Sequence, residues 1–207
     1  MDFINNGTVE IARQLLGKKL VVQSGGEILS GWIVETEAYL GPDDRAAHSY
    51  GLKRTPKVES MYQEGGTIYV YMIHGHHNMN IVTQKAGLPQ GVLIRGLEPC
   101  EGVSLMEARR GRMGIEATNG PGKLCKALGV TKACDGTRLG IGPISLAGTG
   151  DKIPAHIETS PRIGIPNKGE WTESPLRFFV KGNPYVSKMR KRDCLPVEET
   201  WLLPDRS

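Results

Sequence analysis

A chain of 207 residues, 39% hydrophobic and 23% charged, can bury one full core and has the composition of an ordinary globular protein. No apolar run reaches the length of a membrane span, and the N-terminus lacks the basic-then-apolar pattern of a secretory signal, so neither a membrane-spanning nor a secreted protein is expected. The formal charge of +4 does not by itself establish nucleic-acid binding.

In chain order, Val9, Ala12, Leu15 and Leu16 share one helical face, and Gly17 is placed to end that helix. Lys19 to Gln23 reads as a strand, Ser24-Gly25-Gly26 as a turn and Glu27 to Ala38 as a long partner strand. Further strands are expected over Thr67 to His74, Met79 to Thr83, Gly91 to Leu97, Pro143 to Ala147 and Leu176 to Lys181. Helices are expected near Gly102 to Arg110 and Gly122 to Leu128. Hairpins predominate, and there is no linker, repeat or regular strand–helix alternation. The expected fold is one α+β domain with a curved, mainly antiparallel sheet flanked by short helices and long loops. Cys100, Cys125, Cys134 and Cys194 form no CxxC pair and read as reduced thiols, which points to the cytoplasm.

Basic residues cluster at Lys53, Arg54 and Lys57, at Arg109, Arg110 and Arg112, and at Lys188, Arg190, Lys191 and Arg192. Each cluster can neutralise phosphates, and each alone reads equally as solvated surface. The last opens a basic tail, 188–207, that can be disordered. Lys123, at the start of a helix after Gly120-Pro121-Gly122, can meet a phosphate together with the helix N-terminus or be an ordinary helix-start lysine.

Glu35 and Glu37, at i and i+2 on one strand, project from the same face roughly 6–7 Å apart along the chain. They follow Trp32-Ile33-Val34 and precede the strand exit Tyr39-Leu40-Gly41-Pro42. A carboxylate held where a core strand leaves its sheet suits catalysis, although spacing alone favours two solvated glutamates. Period two puts Tyr69 and Tyr71 on one face, so that Tyr71 can enter a pocket while His74 points out from the turn at Gly75.

The run Val34-Glu35-Thr36-Glu37-Ala38-Tyr39-Leu40-Gly41-Pro42-Asp43-Asp44 with Ala46-Ala47-His48-Ser49 resembles the signature of the alkyladenine (3-methyladenine) DNA glycosylases. Five further blocks resemble that family's motifs in its order: Gly66 to Gly75, Leu93 to Pro99, Gly120 to Cys125, Arg162-Ile163-Gly164 and Pro175 to Gly182. Six blocks in register leave little room for coincidence.

The resemblance implies a catalytic domain over 1–187. Such a domain acts in base excision repair as a monofunctional glycosylase with no lyase step. Its partner would be double-stranded DNA containing damaged purines: 3-methyladenine, 7-methylguanine, hypoxanthine or ethenoadenine. Glu37 matches the general base that activates water against C1′ of a flipped nucleotide, and Arg95 the arginine that positions that water. The backbone carbonyl of Ile163 would be a third contact. Tyr39, His48 and Tyr71 match the residues that enclose the flipped base, and Asn80 one that crowds the 2-amino group of guanine. His74 stands where the family commonly places an intercalating tyrosine, and the stretch after it is one residue shorter than the family pattern. Lys53, Arg54 and Lys123 are the expected phosphate contacts. No metal or organic cofactor is expected, and the protein should be monomeric.

Three other readings compete. His74, His76 and His77 could bind a metal with Glu35 or Glu37, although strand alternation separates His76 from His77 and no HExxH occurs. A sugar glycosidase could use Glu35 and Glu37 as acid and nucleophile, although the chain has only three tryptophans. A nucleic-acid-binding module could keep the pocket for recognition alone, against which stand intact Glu37 and Arg95.

Overall fold

The computed structural model describes residues 1–202. The first helix, α1, spans Thr8–Gln14. Its buried face is Ile11, Ala12 and Leu15; Val9, expected on that face, is exposed, because the stripe is set one step round the helix. Gly17 ends this segment with φ +82°, and a Cβ there would meet the Lys152 carbonyl oxygen at 1.9 Å, so no other residue fits.

The next strands are β1 (Lys19–Ser24), β2 (Glu27–Tyr39), β3 (Ile68–Ile73), β4 (His76–Thr83), β5 (Gln90–Glu101) and β6 (Ile144–Leu146). They form an antiparallel sheet in the order β3-β4-β5-β2-β1-β6. The long strand β2 is the axis. Along one edge it pairs with β5. Along the other its first half pairs with β1 and its second half, Glu35 to Glu37, with β9 (Arg177–Val180). Strand β8 (Ile157–Ser160) completes this branch beside β9. Register shifts around Ile33 to Thr36 in the β2–β5 ladder mark bulges, which bend the sheet where the two glutamates sit.

Two tight hairpins follow from local chemistry. Gly25 and Gly26, both at positive φ, join β1 to β2. His74 and Gly75, also both at positive φ, join β3 to β4 in the two-residue loop that suits the twist of antiparallel strands. This short loop lets β4 begin at His76, three residues earlier than the alternation predicts.

Helices α2 (Val103–Arg110) and α3 (Pro121–Leu128) lie near the expected positions, and a short α4 (Glu170–Glu173) was not anticipated. The main core joins α1, α3 and the sheet through residues such as Leu15, Ile33, Ile94, Leu97, Leu124 and Leu128, all fully buried. A smaller cluster of Val58, Met61, Tyr62, Tyr69 and Val82 lies beneath the loop that follows β2, with Tyr71 packed against it. All four cysteines are free.

The segment after Ser187, which its sequence allows to be disordered, takes up regular contacts as far as Leu202. Strand β10 (Trp201–Leu202) pairs with β7 (Ile153–Pro154), and Thr200 and Trp201 are buried. The reason is a buried carboxylate: Glu98 on β5 accepts hydrogen bonds from Lys152, Asn183 and the Trp201 indole N–H. The remainder of the tail, 203–207, lies outside the described residues. No helix among the described residues is long and apolar enough to cross a membrane.

Candidate active site

The side chains of Glu35 and Glu37 are both fully buried on β2, and the Arg95 Nε–H on β5 stands between them, 3.2 Å from one carboxylate and 3.3 Å from the other. Their environments differ. Glu35 also accepts from Arg177 Nε, the Ser187 amide and the Ser187 hydroxyl, at 2.6, 2.8 and 2.8 Å. Both oxygens of that carboxylate are engaged, Oε1 three times and Oε2 once, so Glu35 is a structural tie between β2, β9 and the 182–187 turn. Gly96, opposite Glu35, makes room for this turn: a Cβ there would stand 2.8 Å from the Tyr185 carbonyl oxygen.

Glu37 has lighter ties. Its Oε2 accepts from the Tyr39 hydroxyl at 2.9 Å and its Oε1 from the Ile163 amide at 2.8 Å. Ile163 reaches the carboxylate through its N–H, as it must, because an ionised carboxylate only accepts. Burial raises the Glu37 pKa above the usual glutamate value, while Arg95, the Ile163 N–H and the Tyr39 hydroxyl pull it back.

In front of Glu37 lies a cavity of about 330 Å³. Tyr39, His48, Tyr71, Asn80, Arg95 and Ile163 line it, and so does His74, which strand alternation predicts to point outward from the turn. Glu37 itself contributes no surface; it sits one hydrogen bond or ion pair behind Tyr39, Ile163 and Arg95. The walls are aromatic. Tyr69 and Tyr71 stack with centroids 5.6 Å apart, and His48 meets Tyr71 edge-on at 4.5 Å. The His48 Nδ1 lies 2.9 Å from the Tyr69 hydroxyl oxygen. Burial and the nearby Lys53 lower the His48 pKa, so the ring is neutral at pH 7 with one donor and one acceptor nitrogen. Burial likewise pushes Tyr71 up to about 12, so its phenol stays protonated.

Lys53 lines an adjoining cleft that shares His48, Tyr69 and Tyr71 with the slot. Arg54 lines neither: it pairs with Glu59 and stacks on Tyr62 at 4.7 Å. Lys123 is bonded to Glu116 and Asn119 and also lies outside both cavities. Among the described residues no group of three or more His, Cys, Asp or Glu side chains is gathered as a metal site, which removes the support for a histidine metal centre. The sugar-hydrolase alternative fails on Glu35, whose oxygens are all engaged.

Two features escaped sequence reasoning. Tyr69 anchors His48, a role that its shared face with Tyr71 could have suggested. Arg162 and Asp44, 118 positions apart, form a fully buried bidentate pair. Arg162 also donates to the Ala38 carbonyl at 2.9 Å and lies over the Tyr39 ring at 4.6 Å. This clamp fixes the next residue, Ile163, against Glu37. Both members fall in motif blocks, but nothing local pairs them.

The family model for methylpurine-DNA glycosylase (MPG) matches residues 2–184. This chain belongs to the methylpurine-DNA glycosylase family. It is 56% identical over 203 residues to a Staphylococcus carnosus protein named "Putative 3-methyladenine DNA glycosylase", covering 97% of this chain and 98% of that one. Staphylococcus aureus proteins with the same name are 54% identical over 201 residues, covering 97% of this chain and all of theirs. In this glycosylase family member the match takes in the carboxylate, the aromatic slot and the Arg162 clamp alike.

Proposed function

We propose that this glycosylase removes alkylated or deaminated purines, among them 3-methyladenine, 7-methylguanine, hypoxanthine and ethenoadenine, from duplex DNA by hydrolysis. The observation that carries the reading is the ionisable Glu37 carboxylate held directly behind a purine-sized aromatic slot by Tyr39, Ile163 and Arg95. A base cannot be reached inside the duplex, so the nucleotide rotates into the slot, and weakly paired lesions cost least to extrude. Tyr71 and His48 then face an electron-poor ring, which aromatic faces attract. With Nδ1 engaged by the Tyr69 hydroxyl, neutral His48 offers the base edge its Nε2, a donor or an acceptor according to the tautomer that Tyr69 fixes.

In the reaction, Glu37 takes a proton from water as the water oxygen bonds to C1′. The N-glycosidic bond breaks, and its electron pair leaves with the base. A purine alkylated at N3 or N7 departs without needing a proton. The products are the free base and an abasic site. Water must enter between Glu37 and the slot, where Arg95 can hold it and keep the carboxylate ionised. The lysines line the neighbouring cleft and not the slot, which supports hydrolysis over Schiff-base chemistry. His74 at the hairpin tip, with Met72 and Ile73 exposed beside it, has the form of a wedge for the gap left in the duplex.

The test is a panel of duplexes, each with one lesion, assayed for released free base. Release of alkylated purines from the panel is the expected result. Tight lesion binding with no base released from any duplex would reduce the chain to a damage-binding module.

A further inference from the structure

A third cleft, about 710 Å³ in volume, opens on the far side of Ile163 from the base slot. Its lining carries five cations, Arg177, Lys181, Lys188, Arg190 and Arg192, against two acids, Glu158 and Asp193. Arg177 is committed to Glu35. Lys181 pairs with Glu158, and Arg190 and Arg192 both pair with Asp193, but these side chains are 53%, 66% and 74% exposed. Pairs so exposed contribute little and yield to a stronger anion. Lys188 makes no ion pair with the described residues. Its backbone is left-handed at φ +58°, an uncommon state for a non-glycine residue. The cause is next door: the Ser187 N–H and hydroxyl are both held by Glu35, and the chain must turn sharply to leave that anchor. The anchor therefore fixes Lys188 at the cleft, at a set position relative to Glu37.

The slot is thus flanked twice. On its His48–Tyr71 side lies the cleft with Arg45, Lys53, Lys57, Lys132 and Lys168; on its Ile163 side lies this one. A strand that delivers one base to the slot must leave it in two directions. The geometry points to a second phosphate-binding site: Lys188 and Arg190, with Lys181 and Arg192 at the rim, hold the DNA backbone on one side of the lesion. This inference rests on the proposed reading that the slot receives a nucleotide from a duplex.

The test uses the full-length protein and the double variant K188Q/R190Q, whose replaced side chains lie at the surface and outside the slot. Binding to lesion-containing and undamaged duplexes is titrated across a salt series. Loss of two phosphate contacts lowers the slope of log K against log salt by about 1.8. Half-maximal single-turnover base release requires more enzyme for the variant than for the parent. Shortening the duplex on one side of the lesion erases the difference between variant and parent, and shortening it on the other side preserves it. An unchanged slope, or a loss indifferent to which flank is removed, overturns the proposal. Should the parent release no base from any duplex, the glycosylase reading fails, yet the salt slopes still decide whether this cleft binds DNA.

Discussion

At the scale of single residues, two glutamates two positions apart have been given opposite tasks by their partners. Glu35 accepts four hydrogen bonds and ties three segments together. Glu37 keeps capacity to accept a proton, and its raised pKa brings it closer to working pH, where a general base is most effective. Replacing Glu37 by Gln keeps the shape and removes the basicity, so base release falls by about 10²–10⁴-fold. Lesion-duplex affinity, measured by anisotropy, is retained; equal loss of binding and release would move Glu37 from chemistry to architecture. The same shift sets a pH dependence. The reaction needs the ionised carboxylate, so the single-turnover rate falls as pH drops through a value above that of ordinary glutamate. For stability the sign is the reverse. A raised folded-state pKa means that folding favours protonated Glu37, and that contribution is lost as pH rises through the folded value. E37Q has no such loss, so its Tm gains on the parent as pH rises from 4 to 8.

At the scale of elements, the site is assembled from parts whose local signals differ. Turns built on glycine were legible because their chemistry is local: Gly17 and Gly25-Gly26 stand where the backbone needs a left-handed residue, whereas left-handed His74, read as the end of a strand, hid the short loop it makes with Gly75. The aromatic face of β3 was legible from alternation. The partners of Glu35 come from positions 95, 177 and 187, and the charged partner of Asp44 from 162; such long-range pairing leaves no mark in spacing. The Arg162 clamp yields a prediction that only an element-level view supplies. In R162K the charge stays but the fork is lost, since an ammonium cannot make the bidentate contact. Losing a charge-assisted bond costs about 1.5–3 kcal/mol of stability. Ile163 then holds Glu37 less well, the carboxylate pKa climbs further, and the acid limb of the rate profile moves to higher pH. A stability loss with an unmoved pH profile would confine Arg162 to the scaffold. The β3–β4 hairpin offers a separate test. His74→Ala removes the tip side chain from a loop outside the core, so Tm is kept while lesion-duplex affinity drops. Unchanged affinity and excision would remove His74 from the DNA interface.

At the scale of the whole molecule, a segment whose sequence reads as a basic tail returns to the domain and ends in a two-stranded ladder of its own with β7. Charge patterning over Lys188 to Arg192 hides the ordering element, which lies further on, in Thr200 and Trp201. What draws them in is Glu98, a carboxylate on β5 that would be buried without enough donors unless the chain returned to it. Trp201 supplies both apolar surface and an indole N–H 2.9 Å from Glu98 Oε2, while Asn183 bonds the same oxygen and Thr200. The return also frames the basic cleft at Leu195, so the last strand and the proposed phosphate site are one construction. Trp201→Ala leaves a cavity and one fewer donor on Glu98, at a cost of about 3–5 kcal/mol. For a domain of this size each kcal/mol lowers Tm by about 2–4 °C, so a fall of about 6–20 °C is expected by calorimetry. Trp201 does not line the slot, so base release by the folded variant at 25 °C is unchanged. A Tm within a degree or two of the parent would mean that the final strand does not hold the domain closed. Glu98 would then have to be satisfied by Lys152 and Asn183 alone.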